Sequence, residues 1–247
     1  MKWEILIEKY RPVLLNREVL GSSYTLMKLD SLKPMLEYLK NQEIKAMLDL
    51  GCGYGVITLI VGEFIGAKRV YAVDLDGNRT SFLENIKKLS PLDVTILNQD
   101  FSEPLNIPEK VQLVTSFGSL EHNANWDEIF ENVKRVLVKG GYLLISMPNL
   151  GSWVNRIALF LGYQPRDLEI SKRKLYGVAP PFKNHGTAGH IKIATFKAFK
   201  EFLIDNGFEI VNATPLYSTE NILINLLDKL FNTPSLSRRY TILARKI

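Results

Sequence analysis

The chain has 247 residues, of which 46% are hydrophobic and 23% charged, a composition typical of an ordinary soluble globular protein. Charged residues interrupt the first ten positions and no run of about 18 apolar residues occurs, so we predict no signal peptide, no membrane insertion and a cytoplasmic location. The single cysteine, Cys52, excludes an intramolecular disulfide; no cluster of metal ligands is evident, and we predict no bound metal.

The formal net charge of +5 is concentrated in one stretch of the chain. Residues 151–193 carry seven basic and two acidic side chains, whereas the remaining residues carry 24 of each sign. This uneven distribution indicates that residues 151–193 have a role of their own or form a solvated basic loop.

Taken in chain order, residues 1–40 are expected to form a helical cap segment ahead of the first strand. Between positions 46 and 147, short apolar segments typical of β-strands alternate with amphipathic helical patterns. The predicted strands are 46–50, 69–74, 93–98, 111–117 and 142–147, and the predicted helices are 56–65, 78–89 and 126–138. Gly140 and Gly141 are expected to end the last helix. This alternation predicts the α/β class, with a doubly wound, mostly parallel sheet covered on both faces.

The alternation of strand and helix patterns stops after Pro148 and resumes at residue 195. Residues 150–193 lack a strand pattern, carry the basic excess and begin with an amphipathic stretch, so we interpret them as an insertion. Further helices are predicted at 195–206 and 222–231, and further strands at 208–213 and 240–244. The apolar helix 222–231 suits either the core or a homodimer surface. The chain then divides into a cap (1–40), a cofactor-binding core (41–149), the insertion (150–193) and a return to the same core (194–247).

The stretch MLDLGCGYG joins the first predicted strand to the first core helix. Its glycines allow a sharp turn and close approach to a ligand, while the helix N-terminus presents free N–H groups. A dinucleotide site would need Gly-x-Gly-x-x-Gly, but the third glycine comes one position early and Val56 follows it. Asp49 places negative charge beside the turn, which suits a cationic amino group better than a pyrophosphate.

Acidic residues also end the next two predicted strands. Asp74 lies about 20 residues after the glycine turn, where a carboxylate can accept hydrogen bonds from both ribose hydroxyls; Asp76 is a weaker candidate. Asp100, after the third strand, can accept a hydrogen bond from an exocyclic amine such as that of adenine, and Phe101 can cover the ring.

In order and spacing, MLDLGCGYG, VYAVDLD, LNQDF, VQLVTSFGSLEH and VLVKGGYLLISMPN resemble successive motifs of the class I S-adenosylmethionine-dependent methyltransferases. HIKIATFKAFKEFLIDNGFEIV resembles the helix and strand that follow the lid of small-molecule members, and RRYTILARK resembles their final antiparallel strand. The resemblance implies a seven-stranded Rossmann-like methyltransferase fold with an antiparallel last strand, S-adenosylmethionine as cofactor and methyl transfer as activity. Lys139 departs from the proline that many members have there, away from the site.

The resemblance also implies residue roles. Asp49 and the glycine turn would hold the methionine part of the cofactor. Asp74 would bind the ribose, and Asp100 and Phe101 would fix the adenine. Phe117 and Gly118 would line the cavity near the sulfonium. The residues assigned to cofactor binding are Asp49, Gly51, Cys52, Gly53, Gly55, Asp74, Leu75, Asp100, Phe101 and Phe117.

Three further residues are candidates for the acceptor side. His122 follows the fourth strand and is expected at the ligand-binding edge of the sheet, as a base, an acceptor-orienting group or a packed histidine. His190 opens the return from the insertion and resembles a histidine that recurs there in similar enzymes. Asn149 could contact an acceptor or cap a turn. The remaining histidine, His185, is a weaker candidate.

The acceptor is expected to be a small molecule. The insertion should fold over it as a lid, and its basic charge would favour a carboxylate or phosphate on the acceptor. The position after the fourth strand reads SFGS rather than the Asn/Asp-Pro-Pro-aromatic motif of amino-methylating enzymes that act on adenine or glutamine. An RNA or protein methyltransferase stays open, although nucleic acid is not favoured because no RNA-binding module is recognisable. A non-catalytic cofactor-binding protein also stays open.

Overall fold

The computed structural model of the chain describes residues 2–20, 26–183, 186–216 and 222–247. His185 lies outside these residues. Among them the α-helices are α1 (Trp3–Leu14), α2 (Arg17–Leu20), α3 (Leu26–Lys40), α4 (Val56–Ile65), α5 (Gly77–Ile86), α6 (Trp126–Val136), α7 (Trp153–Phe160), α8 (Phe196–Asp205) and α9 (Ile222–Leu230). The β-strands are β1 (Ala46–Leu50), β2 (Arg69–Asp74), β3 (Asp93–Asn98), β4 (Val111–Phe117), β5 (Leu137–Pro148), β6 (Phe208–Leu216) and β7 (Arg239–Lys246).

The strands form one mixed sheet in the order β3-β2-β1-β4-β5-β7-β6. Each neighbouring pair from β3 to β5 is parallel, whereas β7 pairs antiparallel with both β5 and β6. The predicted seven-stranded α/β sheet with an antiparallel last strand is therefore confirmed. No helix in the described part of the chain is long and apolar enough to span a membrane.

The central strand β1 is buried on both faces. Met47 packs in a cluster with residues of α1, α3 and α4, whereas Leu48 and Leu50 pack in a second cluster with residues of α6 and α8. Successive side chains of a strand point to opposite faces of its sheet, so this division places a helical layer on each side. The apolar strand pattern thus reflects double burial, as is usual for a parallel sheet.

The predicted boundary between the helix 126–138 and the strand 142–147 is wrong on both sides. The glycine pair was expected to end the helix 126–138, but α6 ends at Val136 and β5 begins at the next residue, where Leu137 pairs with Val111 of β4. The Lys246 ammonium donates to the Lys134 carbonyl at 2.5 Å and to the Leu137 carbonyl at 2.8 Å. Strand pairing and this contact from the chain's C-terminal strand satisfy the helix end earlier than local sequence indicates.

The start of the insertion is held against α9 by a buried polar network. The Trp153 ring stacks on Phe231 with a centroid distance of 5.6 Å, and its Nε1 donates to Asp228 Oδ1 at 2.9 Å. Arg238 Nη2 donates to Asp228 Oδ2 at 2.6 Å, and Arg238 is 4% exposed. One carboxylate therefore joins α7, α9 and the approach to β7.

The turn after β1 is joined to both neighbouring strands. The N–H groups of Gly51 and Cys52 donate to the Val73 carbonyl of β2 at 2.8 and 2.9 Å. On the other side, Ser119 Oγ donates to the Leu50 carbonyl at 2.6 Å. Gly51 has φ +74°, and an added Cβ would lie 2.2 Å from Ser119 Cβ, so only glycine fits there.

Asp228→Asn should lower the free energy of unfolding by about 3–5 kcal/mol, because it removes the charge that offsets the buried Arg238 guanidinium. Glu209→Gln is the control, since it removes one member of an exposed pair with Arg245 and should cost less than about 1 kcal/mol. Urea unfolding measures both; similar losses would contradict the assigned role of Asp228.

Gly51→Ala should destabilise the protein more than Gly66→Ala. Both glycines have positive φ, but an added Cβ at Gly66 meets nothing within 4 Å, whereas at Gly51 it collides with Ser119. The left-handed backbone costs about 1–2 kcal/mol in each variant, and the collision should add about 1–3 kcal/mol at Gly51. Equal unfolding free energies for the two variants would show that the loop after β4 can move away from the added Cβ without loss of stability.

Candidate functional site

A cavity of about 530 Å³ opens at the carboxyl edge of the parallel strands. The cavity is lined by every residue that the sequence analysis assigned to cofactor binding. These residues are Asp49, Gly51, Cys52, Gly53, Gly55, Asp74, Leu75, Asp100, Phe101 and Phe117. They come from four separate strand ends and meet because parallel strands bring their carboxyl ends to one edge.

Two further segments supply walls of the same cavity. Leu14 and Val19 reach it from the N-terminal helices, and Thr187, Ala188 and His190 reach it from the end of the insertion. The N-terminal cap segment and the insertion therefore both contribute to the enclosure. No local motif marks these five residues, which is why sequence analysis assigned only His190 to the site.

Asp49 lies beneath the glycine turn and is 2% exposed. Its Oδ2 accepts a hydrogen bond from Thr58 Oγ1 at 2.5 Å, and its Oδ1 accepts one from Thr115 Oγ1 at 2.7 Å. Burial raises the pKa of Asp49 to about 6, the two hydroxyls partly oppose this rise, and the nearby charge of Asp74 adds to it. Near neutral pH the cavity floor thus holds a buried carboxylate.

Asp74 connects the loops after β1 and β2. Its Oδ2 accepts a hydrogen bond from the Gly53 N–H at 2.7 Å, and its Oδ1 accepts one from the Asp76 N–H at 2.9 Å. Asp76 caps α5 by accepting hydrogen bonds from the Asn78 and Arg79 N–H groups, so the weaker of the two candidate acids has a structural role. Leu75, 68% exposed, offers an apolar surface to the cavity.

The loop after β3 is fixed by polar contacts from other elements. Asp100 Oδ1 accepts hydrogen bonds from the Ser102 N–H and hydroxyl at 2.8 Å each and from Asn123 Nδ2 at 3.1 Å. Asn132 of α6 donates through Nδ2 to the carbonyls of Phe101, Ser102 and Glu103. Asn132 and Asn123 position this part of the site, and no sequence signal distinguished them.

Cys52 is a wall residue and not a reactive thiol. Burial raises its pKa well above the ordinary value, and the charges of Asp49 and Asp74 raise it further. A protonated thiol is a poor nucleophile, so we do not expect Cys52 to act as one.

His122 and His190 lie side by side in the lining of the cavity, with ring centroids 5.0 Å apart. His122 Nδ1 is 3.1 Å from the Gly189 carbonyl, and His190 Nδ1 is 3.1 Å from the Asp167 carbonyl. Burial lowers the pKa of His190 and so favours the neutral imidazole. The charges of Glu121 and Asp167 oppose this lowering only in part. Glu121 is adjacent, and its backbone carbonyl accepts the N–H groups of Ile191 and Lys192, so the end of the insertion is attached to the loop after β4.

Asn149 does not line the cavity. It is fully buried, and its Nδ2 donates to the carbonyls of Pro234, Ser235 and Ser237, while its Oδ1 accepts the Gly151 N–H at 2.9 Å. Of the two roles considered for Asn149, these contacts favour the structural one. It holds the chain together where the insertion leaves the sheet.

The basic side chains of the insertion also lie away from the cavity. Among the described residues, Arg79 of α5 is the one lysine or arginine whose side chain lines the cavity. Lys192 donates to the Ala124 carbonyl and lies over the Trp126 ring, and Arg166 lies over Phe182. Lys172, Arg173 and Lys174 are exposed. The positive charge of this segment therefore faces solvent or packs on aromatic rings.

Comparisons with known proteins agree with this geometry. A family model described as a methyltransferase domain matches residues 48–145. Ribosomal RNA small subunit methyltransferase G from Rickettsia rickettsii (strain Sheila Smith) is 30% identical over 121 residues, which are 49% of this chain and 58% of that protein. (S)-coclaurine N-methyltransferase from Thalictrum flavum subsp. glaucum is 29% identical over 117 residues, covering 45% of this chain and 32% of that protein. The chain thus spans about half the length of the first relatives that it matches.

Two solved structures share the fold over nearly the whole chain. An S-adenosylmethionine-dependent methyltransferase from Clostridium acetobutylicum ATCC 824 has a TM-score of 0.63 at 19% identity, covering 97% of this chain and 98% of that one. The N-methyltransferase NodS from Bradyrhizobium japonicum WM9, in complex with S-adenosyl-L-homocysteine, has a TM-score of 0.58 at 12% identity, covering 98% of each chain. This chain therefore carries a match to a methyltransferase domain at residues 48–145 and shares the fold of these solved methyltransferases.

Proposed function

We propose that this protein transfers a methyl group from S-adenosylmethionine to a small-molecule acceptor bound beside His122 and His190. The observation that carries the proposal is that one cavity is lined both by all the predicted cofactor residues and by the two histidines His122 and His190. Its volume of about 530 Å³ lies within the range of roughly 300–1,000 Å³ usual for small-molecule pockets.

The residues present suit this cofactor. In the cavity lining, Asp49 could attract the cationic amino group and Asp74 could accept hydrogen bonds from the ribose hydroxyls. Phe101 and Leu75 could offer apolar surfaces to the adenine. An added Cβ at Gly53 would meet nothing within 4 Å, which leaves an open cradle beside the turn. The bound cofactor would supply a methyl group already activated by the sulfonium, so the protein mainly has to align the acceptor.

His122 is the proposed acceptor-orienting residue. If its Nδ1–H donates to the Gly189 carbonyl, Nε2 keeps a lone pair that can accept a hydrogen bond or a proton from the acceptor. The walls from the N-terminal helices and the insertion would exclude water. The further proposal of a carboxylate or phosphate on the acceptor has less support, because the basic side chains of the insertion do not line the cavity.

RNA is the second candidate acceptor, because several of the matching relatives are ribosomal RNA methyltransferases. Both the cap segment and the insertion contribute residues to the lining of the cavity, and this favours a small acceptor. The solvent-facing bases of the insertion are the feature that an RNA acceptor would use.

Calorimetry with S-adenosyl-L-homocysteine tests the cofactor site. The wild type should bind it, and Asp74→Asn should weaken binding by at least about tenfold, equal to roughly 1.4 kcal/mol, because a charged acceptor of hydrogen bonds is lost. Asp76→Asn is the matched control and should bind normally, since asparagine also caps a helix. Absence of wild-type binding would overturn the proposed function.

Transfer of labelled methyl to a metabolite panel, compared with total RNA, tests the acceptor class. We expect turnover of a small molecule, and His122→Asn should lower kcat while the affinity for S-adenosyl-L-homocysteine is retained. Turnover of RNA alone would replace the small-molecule proposal. Cofactor binding without any turnover would favour the non-catalytic alternative.

Binding of S-adenosyl-L-homocysteine should weaken as the pH falls through about 6. Above this pKa Asp49 is charged and attracts the ligand's ammonium; below it the carboxyl is neutral and the attraction is lost. Asp49→Asn should bind more weakly at pH 7.5 and show a flatter pH profile. Parallel profiles for wild type and variant would contradict the assignment.

A further inference from the structure

We infer that Glu121, His122 and His190 form a binding site for a divalent transition-metal cation at the acceptor end of the cavity. One ligand atom from each residue lies within 4.8 Å of the others. Two imidazoles and one carboxylate form a ligand set that metalloenzymes use for zinc while leaving a position open to substrate. The sequence predicted no metal, because His190 is remote in the chain from the Glu121–His122 pair.

The orientation of both imidazoles favours metal binding. Nδ1 of His122 and Nδ1 of His190 each face a backbone carbonyl at 3.1 Å. A hydrogen bond of this kind places the proton on Nδ1 and leaves the Nε2 lone pair for a ligand, as is usual for metal-bound histidines. His190 Nε2 lies 3.9 Å from Glu121 Oε1, so this nitrogen is directed towards the carboxylate.

Glu121 supplies an independent observation. Its side chain is 1% exposed, and its Oε1 accepts a hydrogen bond from Arg239 Nη2 at 3.0 Å. Its Oε2 is also buried but has no hydrogen-bond partner within the described ranges of the chain. A buried carboxylate oxygen without a partner costs free energy, and a bound cation would offset that cost.

Nearby charge and the ligand types restrict the class of ion. Arg239 already neutralises part of the Glu121 charge, so we expect moderate affinity for the cation. Imidazole ligands favour zinc, cobalt or nickel over magnesium and calcium, which prefer oxygen ligands. The ion would join the loop after β4 to the end of the insertion, and so would fix one wall of the cavity.

A cation at this point also has a consequence for the acceptor, and this part alone rests on the proposed function. A hydroxyl oxygen that occupies the open coordination position would have its pKa lowered by the ion. His122 would then act as a ligand instead of a proton acceptor. The inference therefore favours an oxygen acceptor within the small-molecule class.

Cobalt(II) alone, titrated into the whole chain after treatment with a chelator, tests the site. We expect saturable binding of one ion with visible absorption bands typical of four or five ligands including nitrogen. His122→Asn and His190→Asn should each weaken binding by at least about tenfold, since each removes a ligand. A substitution of the buried Glu121, such as Glu121→Gln, could prevent folding. His122 is exposed, so His122→Asn should fold and the test does not depend on Glu121→Gln.

Glu128→Gln is the charge-matched control, because it removes an exposed acid on α6 and should leave cobalt affinity unchanged. Binding by wild type that is no tighter than binding by His122→Asn would overturn the inference. Parallel calorimetry with S-adenosyl-L-homocysteine separates the two proposals. Ligand binding without a cobalt site would overturn only the metal site, and a cobalt site without ligand binding would overturn only the proposed function.

Discussion

The close approach of the turn after β1 to the loop after β4 is the contact on which the site depends. Gly51 lies against Ser119 with no room for a side chain, and Ser119 Oγ also contacts the hydroxyl of Ser116 at 2.6 Å. On its other side, the turn donates two backbone hydrogen bonds to β2. Three strand ends are thereby held in one arrangement, so the cavity floor forms from the backbone before any ligand is present.

The carboxylates of the site use this framework in different ways. Asp49 is buried between two threonine hydroxyls, Asp74 links two loops through backbone N–H groups, and Asp100 is held by Ser102 and Asn123. Each acid therefore has its orientation set by protein contacts. Such preorganisation reduces the entropy lost when a ligand is ordered in the cavity. The same acids that would recognise the cofactor thus also hold the loops that surround it.

The part of the cavity wall that carries His122 and His190 depends on contacts between remote parts of the chain. The backbone of Glu121 binds the backbone of Ile191 and Lys192, and Asn149 fixes the loop before β7. Trp153 and Asp228 attach the start of the insertion to α9. The insertion is consequently anchored at both of its ends, and its residues Thr187, Ala188 and His190 reach the cavity while its lysine and arginine side chains lie elsewhere.

The sequence by itself determined that the strands of the parallel core exist, where the glycine turn lies, and which acids lie at or just after the carboxyl ends of β1, β2 and β3. These features are local, because burial on both faces requires continuous apolar strands and a sharp turn requires glycine. The end of α6 was misplaced, because pairing of Leu137 with β4 outweighed the local glycine signal. Only the tertiary structure decided that Asn149 is buried away from the cavity, that the bases of the insertion do not line it, and that Glu121, His122 and His190 meet. Those outcomes depend on which remote backbone groups and rings become neighbours, and spacing along the chain does not encode such distances.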